Sequence, residues 1–213
     1  MNAIRRQNNW VPPPGPVAKG LRIGLLGGSF NPAHEGHLHA SKLALKQLAL
    51  DYVWWLVSPQ NPLKDSRGMA SLQKRWQSAK DLARHPRIVV TDIEERLGTR
   101  FTVDTLYAVT RRFPQVHFVW LMGSDNLMQL PRWRNWPQIF ALMPVAVIAR
   151  PASALAARSA KAAATFRSAY VPPSHHFSVM NPPAWTVLDG KRNPSSASSL
   201  RASGGLAETA HLW

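Results

Sequence analysis

Glycine, histidine and proline crowd into one twelve-residue stretch, Gly27-Gly28-Ser29-Phe30-Asn31-Pro32-Ala33-His34-Glu35-Gly36-His37-Leu38. Paired glycines let main-chain amides approach a phosphate closely, and a helix that follows turns its positive end toward the same point. His34 and His37 stand three apart around the expected entry to that helix, so both imidazoles can face one ligand. The chemistry implied is anion binding beside two imidazole donors. The spacing matches neither G-x-G-x-x-G nor G-x-x-x-x-G-K-[ST], which argues against ordinary dinucleotide binding and P-loop hydrolysis. Two other readings are open at this point. Each histidine could be a surface or capping residue, or His39 could complete a zinc site. The second is weak, because a step of two on a helix turns His39 roughly 200° away from His37.

The elements that must position this stretch alternate between strand-length apolar runs and helical periodicity, the pattern of a parallel sheet covered by helices. Leu21–Leu26 reads as the first strand and Tyr52–Val57 as the second. Leu38, Leu45 and Leu48 share a face of the helix expected after Gly36. Ser58–Lys64 holds two prolines and reads as a loop at the carboxyl end of the second strand. Met69, Leu72, Trp76, Ala79 and Ala83 define an amphipathic helix ended by Pro86, and Arg87–Thr91 a short strand. Thr102 is expected to cap a helix with Val103, Leu106 and Tyr107 facing inward and Asp104 favoured in its first turn. Val116–Met122, apolar on both faces apart from His117, reads as a central parallel strand, with Val145–Ala149 the next. Residues 152–170 look helical, 171–183 lack periodicity, Trp185–Leu188 reads as a strand, and Ser195–Arg201 as an N-capped helix. Residues 1–20, with Pro12-Pro13-Pro14-Gly15-Pro16, are expected to form a flexible tail. The fold class expected is α/β, an open parallel sheet with helices on both faces in a single domain over residues 21–213.

Composition narrows the partners. The 213 residues carry 26 Lys+Arg against 11 Asp+Glu, a net charge of +15, with 45% apolar residues and no Cys. A core is affordable at this size, and disorder throughout is excluded. Without cysteine there is no disulfide framework, thiolate zinc site or cysteine nucleophile, which fits a reducing compartment. No apolar run approaches 18 residues and the amino terminus lacks an apolar signal core, so a cytoplasmic protein is expected. The positive excess suits phosphorylated small molecules, nucleic acid or anionic lipid. Carboxylates are so scarce, apart from Asp92, Glu94 and Glu95, that a two-metal site is hard to assemble. Any catalytic Mg²⁺ is expected to arrive on its substrate.

Gly27–Leu38 resembles the G-G-[ST]-F-[DN]-P-x-H-x-G-H-L signature of the Rossmann-like nucleotidyltransferase superfamily. Ser196-Ala197-Ser198-Ser199-Leu200-Arg201 is similar to its second signature, S-S-T-x-[IL]-R, with Ala197 in place of Ser and Ser198 in place of Thr. Within that superfamily, Gly123-Ser124-Asp125-Asn126 followed by Pro131-Arg132-Trp133, and Thr99–Leu106, resemble segments of nicotinate-nucleotide adenylyltransferases. The resemblance spans about residues 21–203. It implies that His34, His37, Lys64 and Arg201 are catalytic. It further implies ATP contacts from Gly27, Gly28, Ser29, Phe30, His34, His37, Asp125, Ser196, Ser198 and Arg201. Asn31, Lys64, Thr102, Trp133 and Arg134 are implied for nicotinate mononucleotide, with Trp133 stacking on the pyridine ring and amides around Thr102 and Arg134 taking its carboxylate. Mg²⁺ would travel with ATP. Joining two anions by in-line displacement demands positive charge and oriented donors rather than a nucleophilic side chain, which suits these residues.

Two alternatives remain at this stage. Phosphopantetheine adenylyltransferases share the first signature and the chemistry, though they lack the tryptophan-bearing segment. A basic nucleic-acid-binding domain would account for the charge. It leaves the glycine–histidine stretch unexplained and shows no helix-turn-helix, RRM or zinc-finger pattern, so no specific nucleic acid and no membrane partner are expected.

Overall fold

The computed structural model describes residues 11–59, 69–149 and 159–189. Six strands form one sheet: β1 (Arg22–Gly28), β2 (Tyr52–Val57), β3 (Ile88–Thr91), β4 (His117–Gly123), β5 (Val145–Ile148) and β6 (Trp185–Leu188). All five pairings are parallel, in the order β3-β2-β1-β4-β5-β6. The chain starts in the middle, winds to one edge, then returns to wind toward the other. Winding therefore reverses between β1 and β4, and the crevice at the carboxyl ends of those strands is where an open α/β sheet binds ligands.

Successive strand residues point to opposite faces, so strands buried on both sides must be apolar throughout. In β2, Val53, Trp55 and Val57 join one core layer with Ala40, Ala44 and Leu45 of α1 (Glu35–Gln47) and Ala79 of α2 (Leu72–Leu82). Trp54 and Leu56 enter the other layer. They meet Ile93 of α3 (Ile93–Leu97), Val103, Leu106 and Val109 of α4 (Thr102–Arg112), and Leu127 of α5 (Ser124–Gln129). Ile139 and Phe140 of α6 (Pro137–Leu142) and Ala162 and Ala163 of α7 (Lys161–Thr165) complete that layer. Helices thus cover both faces of the sheet, as the alternating pattern predicts. No helix among the described residues is long and apolar enough to cross a membrane.

Several local expectations change. Gly27 and Gly28 belong to the end of β1, paired with Leu56 and Val57, rather than to the turn. Gly27 is needed there for close approach, since a Cβ would collide with the Trp120 indole of β4. Helix α4 is capped by Phe101, not Thr102, which becomes its first helical residue, and Tyr107 faces outward at 51% exposure. The predicted tail is also corrected over its described part. Val11 is buried in the second layer, Arg96 Nη1 donates to the Pro12 carbonyl at 3.2 Å, and Gln115 Nε2 donates to that of Val17 at 2.9 Å. Proline removes ladder donors but leaves carbonyls, and side-chain donors from the domain take them up. Residues 1–10 lie outside the described residues, as do 60–68, 150–158 and the expected helix near Ser195–Arg201. Helices α3, α5 and α6 are too short to print a helical period in the sequence.

Candidate active site

The strand–helix junction after β1 is held under visible backbone tension. Phe30 adopts φ 46°, a left-handed conformation that costs a non-glycine residue energy and persists only where packing dictates it. Its ring is 1% exposed, stacked on Trp55 with centroids 5.2 Å apart and 4.6 Å from His37. Phe30, assigned to ATP by resemblance, thus packs its ring inside the junction, against Trp55 and His37.

His34 and His37 meet at this junction with ring centroids 3.9 Å apart. His34 is the N-cap of α1, its Nδ1 accepting from the Gly36 amide at 3.1 Å. His37 Nδ1 reciprocates by accepting from the His34 amide at 3.2 Å. Both histidines are thus capping residues, and the capping bonds fix their chemistry. With Nδ1 an acceptor in each, the neutral rings carry their proton on Nε2, as donors. Asn31 Oδ1 accepts from the Ala70 amide at 3.3 Å, tying the same loop to the approach of α2.

Beside the junction, at the carboxyl ends of β1 and β2, lies a cavity of about 140 Å³. Gly27, Gly28 and Ser29 form one wall, Ser58 and Glu94 another, and Trp120 a third. The turn into α4 contributes Arg100, Phe101 and Thr102, while Asn126, Arg132, Trp133 and Arg134 approach from beyond β4. Trp133 is partly buried against the core, which leaves an aromatic face on the cavity. The Arg134 guanidinium sits 4.7 Å over the Phe101 ring and 3.8 Å from Asp104 of α4, bridging the two halves of the rim. Three guanidinium groups against one carboxylate make the cavity receptive to anions.

That carboxylate, Glu94, is only 8% exposed. Burial pushes it up to about 7, against the lowering pull of side-chain hydrogen bonds from Ser58 and Thr105. Thr105 in turn shares a 2.8 Å hydroxyl contact with Thr99, so Glu94 joins the end of β2 to the start of α4.

The sequence-derived candidates divide into three groups. Gly27, Gly28, Ser29, Thr102, Trp133 and Arg134 converge on the cavity. His34, His37, Asn31 and Phe30 stand at the adjoining junction and are not among its lining residues, nor is Asp125, in the first turn of α5. Lys64, Ser196, Ser198 and Arg201 lie outside the described residues. Sequence reasoning missed Ser58, Glu94, Arg100, Trp120, Asn126 and Arg132. Arg100, Asn126 and Arg132 fall inside segments already singled out; Glu94 carried no pattern beyond its place in a small carboxylate cluster. Among the described residues no cluster of three or more His, Cys, Asp or Glu side chains is arranged to hold a metal ion.

The family model described as cytidylyltransferase-like matches residues 25–203. A "Probable nicotinate-nucleotide adenylyltransferase" from Parvibaculum lavamentivorans is 55% identical over 191 residues, covering 89% of this chain and 95% of the relative. Another of the same description, from Methylorubrum extorquens, is 51% identical over 183 residues, covering 85% and 99%. Among solved structures, the Plasmodium falciparum nicotinic acid mononucleotide adenylyltransferase complexed with NaAD aligns with a TM-score of 0.63. It is 15% identical, with 85% of this chain and 83% of that one covered, and supports the fold. With half-identical relatives matched almost end to end, this chain belongs to the nicotinate-nucleotide adenylyltransferases of the cytidylyltransferase-like family.

Proposed function

We propose that this chain transfers AMP from ATP to nicotinate mononucleotide, giving the deamido form of NAD and pyrophosphate. A phosphate oxygen of the mononucleotide attacks the α-phosphorus of ATP. The new oxygen–phosphorus bond forms as the bond from the α-phosphorus to the bridging oxygen breaks, and pyrophosphate leaves. No covalent enzyme intermediate is required, so the protein's task is to align two anions and stabilise charge on the phosphoryl oxygens. Mg²⁺ enters with ATP as part of that substrate.

The observation that carries this reading is the convergence of Thr102, Trp133 and Arg134 on a cationic cavity whose wall, Gly27–Ser29, continues directly into the histidine pair. The pyridine ring lies against Trp133, its carboxylate at the start of α4 near Thr102 and Arg134. ATP lies over the junction, its phosphates within reach of the Nε2–H groups of His34 and His37. Lys64 and Arg201 add charge to the mononucleotide phosphate and the departing pyrophosphate, with Ser196 and Ser198 on ATP. The adenosine half falls to the Asp125 side.

Pyrophosphate release with MgATP tests the acceptor, with nicotinate mononucleotide, nicotinamide mononucleotide and phosphopantetheine offered in parallel. Preference for the first supports the reading; release with phosphopantetheine alone replaces the acceptor, and silence with all three removes the activity. His37→Ala deletes a donor aimed at phosphoryl oxygens and lowers kcat by about 10²–10³-fold with the fold intact. Near-normal turnover in that variant would show that the imidazole only caps α1.

A further inference from the structure

Arg75 occupies a position on α2 that an amphipathic helix reserves for apolar side chains. It stands between Leu72 and Ala79 at i, i+3 and i+7, and is 2% exposed. Its bonds account for the burial. Nε donates to the Ala70 carbonyl at 2.9 Å, Nη2 to the Pro59 carbonyl at 2.8 Å, and Nη1 to the carbonyls of Ser29 and Ser58, both at 2.7 Å. All four acceptors are main-chain carbonyls, and no carboxylate is among them. Ser29 is the residue after β1 and Ser58 the residue after β2, and both line the cavity. The Ser58 amide also donates to the Gly28 carbonyl at 2.9 Å.

We infer that Arg75 is a positioning residue for adenylyl transfer, one that fixes the separation between the end of β1, where ATP is read, and the end of β2, where the mononucleotide side begins. Two features support this over a staple that merely adds stability. Among the described residues the guanidinium has no carboxylate partner, so its desolvation is costly, and an apolar side chain between Leu72 and Ala79 would serve packing better. The planar fork also places its donors in fixed directions, which a flexible ammonium cannot copy. One group bonded to both strand ends sets their spacing, and in-line transfer is sensitive to displacements of about 1 Å, which can cost on the order of 10²-fold in rate.

The inference rests on the proposed function, and the test separates the two. Arg75→Lys and Arg75→Gln are purified as full chains beside the wild type and Leu72→Ala, a packing change on the same helix face. Circular dichroism and thermal melting give the folded fraction. Steady-state kinetics with MgATP and nicotinate mononucleotide give kcat and both KM values, and calorimetry gives ATP affinity without the mononucleotide. The expected result for Arg75→Lys is a kcat per folded molecule lowered at least tenfold, with both KM values and the ATP affinity within threefold of wild type. Leu72→Ala melts earlier and keeps its kcat. Arg75→Gln, with one amide donor group, is at least as impaired in kcat and decides the matter if the lysine variant does not fold. A folded variant with kcat within twofold of wild type overturns the inference, as does a defect confined to KM. Failure of both variants to fold also overturns it, making Arg75 a stability element. If the wild type does not turn over, the functional reading has failed and the inference falls with it; if the wild type is active and Arg75→Lys equally so, only the inference falls.

Discussion

Ser58 is gripped from two sides, by Arg75 on its carbonyl and by Glu94 on its hydroxyl. Glu94 makes that grip dependent on pH. Its carboxyl titrates near 7 in the folded protein, above the 4.5 of an unperturbed glutamic acid, because burial disfavours the charged form. Below about pH 4.5 it is protonated in both folded and unfolded chains and contributes no pH dependence. Between 4.5 and 7 the folded state holds a proton that the unfolded state releases, so stability falls as pH rises, then levels off above 7. The full change is about 3 kcal/mol for this one group. Glu94→Gln keeps an acceptor for Ser58 and Thr105 and abolishes the titration. Its melting temperature should therefore gain on that of wild type from pH 5 to about pH 7 and approach a plateau by pH 8. Parallel curves across that range would show that Glu94 is not held neutral by its surroundings. None of this was legible in the sequence, where Glu94 is one carboxylate beside Glu95; only burial distinguishes the two. Trp133 shows the opposite case, singled out by its setting after Gly123-Ser124-Asp125-Asn126 and found on the cavity.

At the scale of elements, legibility follows length. Helices α1, α2 and α4 run eleven to thirteen residues and print their period in the sequence, whereas α3, α5 and α6 have only five or six and do not. Arg75 left a trace, a charge on the apolar face of α2, but its meaning needed the carbonyls that fold up against it. The proline-rich approach to β1 was misread because composition there describes the backbone, while docking depends on two apolar anchors, Val11 and Val17. Val11→Asp tests that docking. Burying a valine contributes about 2 kcal/mol, so the substitution should lower the unfolding free energy by about 1–3 kcal/mol in a urea melt. Turnover per folded molecule should not change, since the segment packs near Trp54 and Val89 and no residue of it lines the cavity. An unshifted midpoint would mean that the segment rests on the domain without stabilising it.

Taken whole, the molecule places its cavity at the carboxyl ends of β1 and β2 and against Trp120 of β4, beside the point where the direction of winding reverses, and lines it with three arginines against one carboxylate. The parallel sheet was legible because strands buried on both faces read as unbroken apolar runs. The strand order was not, because it depends on crossovers that join residues distant in sequence. The net charge of +15 acts at longer range than any contact in the site. Both proposed substrates are anions, and an arginine-rimmed cavity with low-dielectric walls focuses that field at its mouth. The Debye length contracts from roughly 20 Å at 0.02 M salt to roughly 6 Å at 0.3 M, so attraction that begins beyond the rim is lost first. Raising KCl over this range at fixed Mg²⁺ should lower kcat/KM for nicotinate mononucleotide by about three- to tenfold. The kcat should stay within about twofold, because the bound substrates are shielded from bulk ions by the groups that hold them. A flat kcat/KM would show that the surplus charge plays no part in capture. A parallel fall in kcat would mean that salt reaches the aligned phosphates themselves, placing the reacting groups in more open solvent than the walls of Ser29, Ser58 and Trp133 suggest.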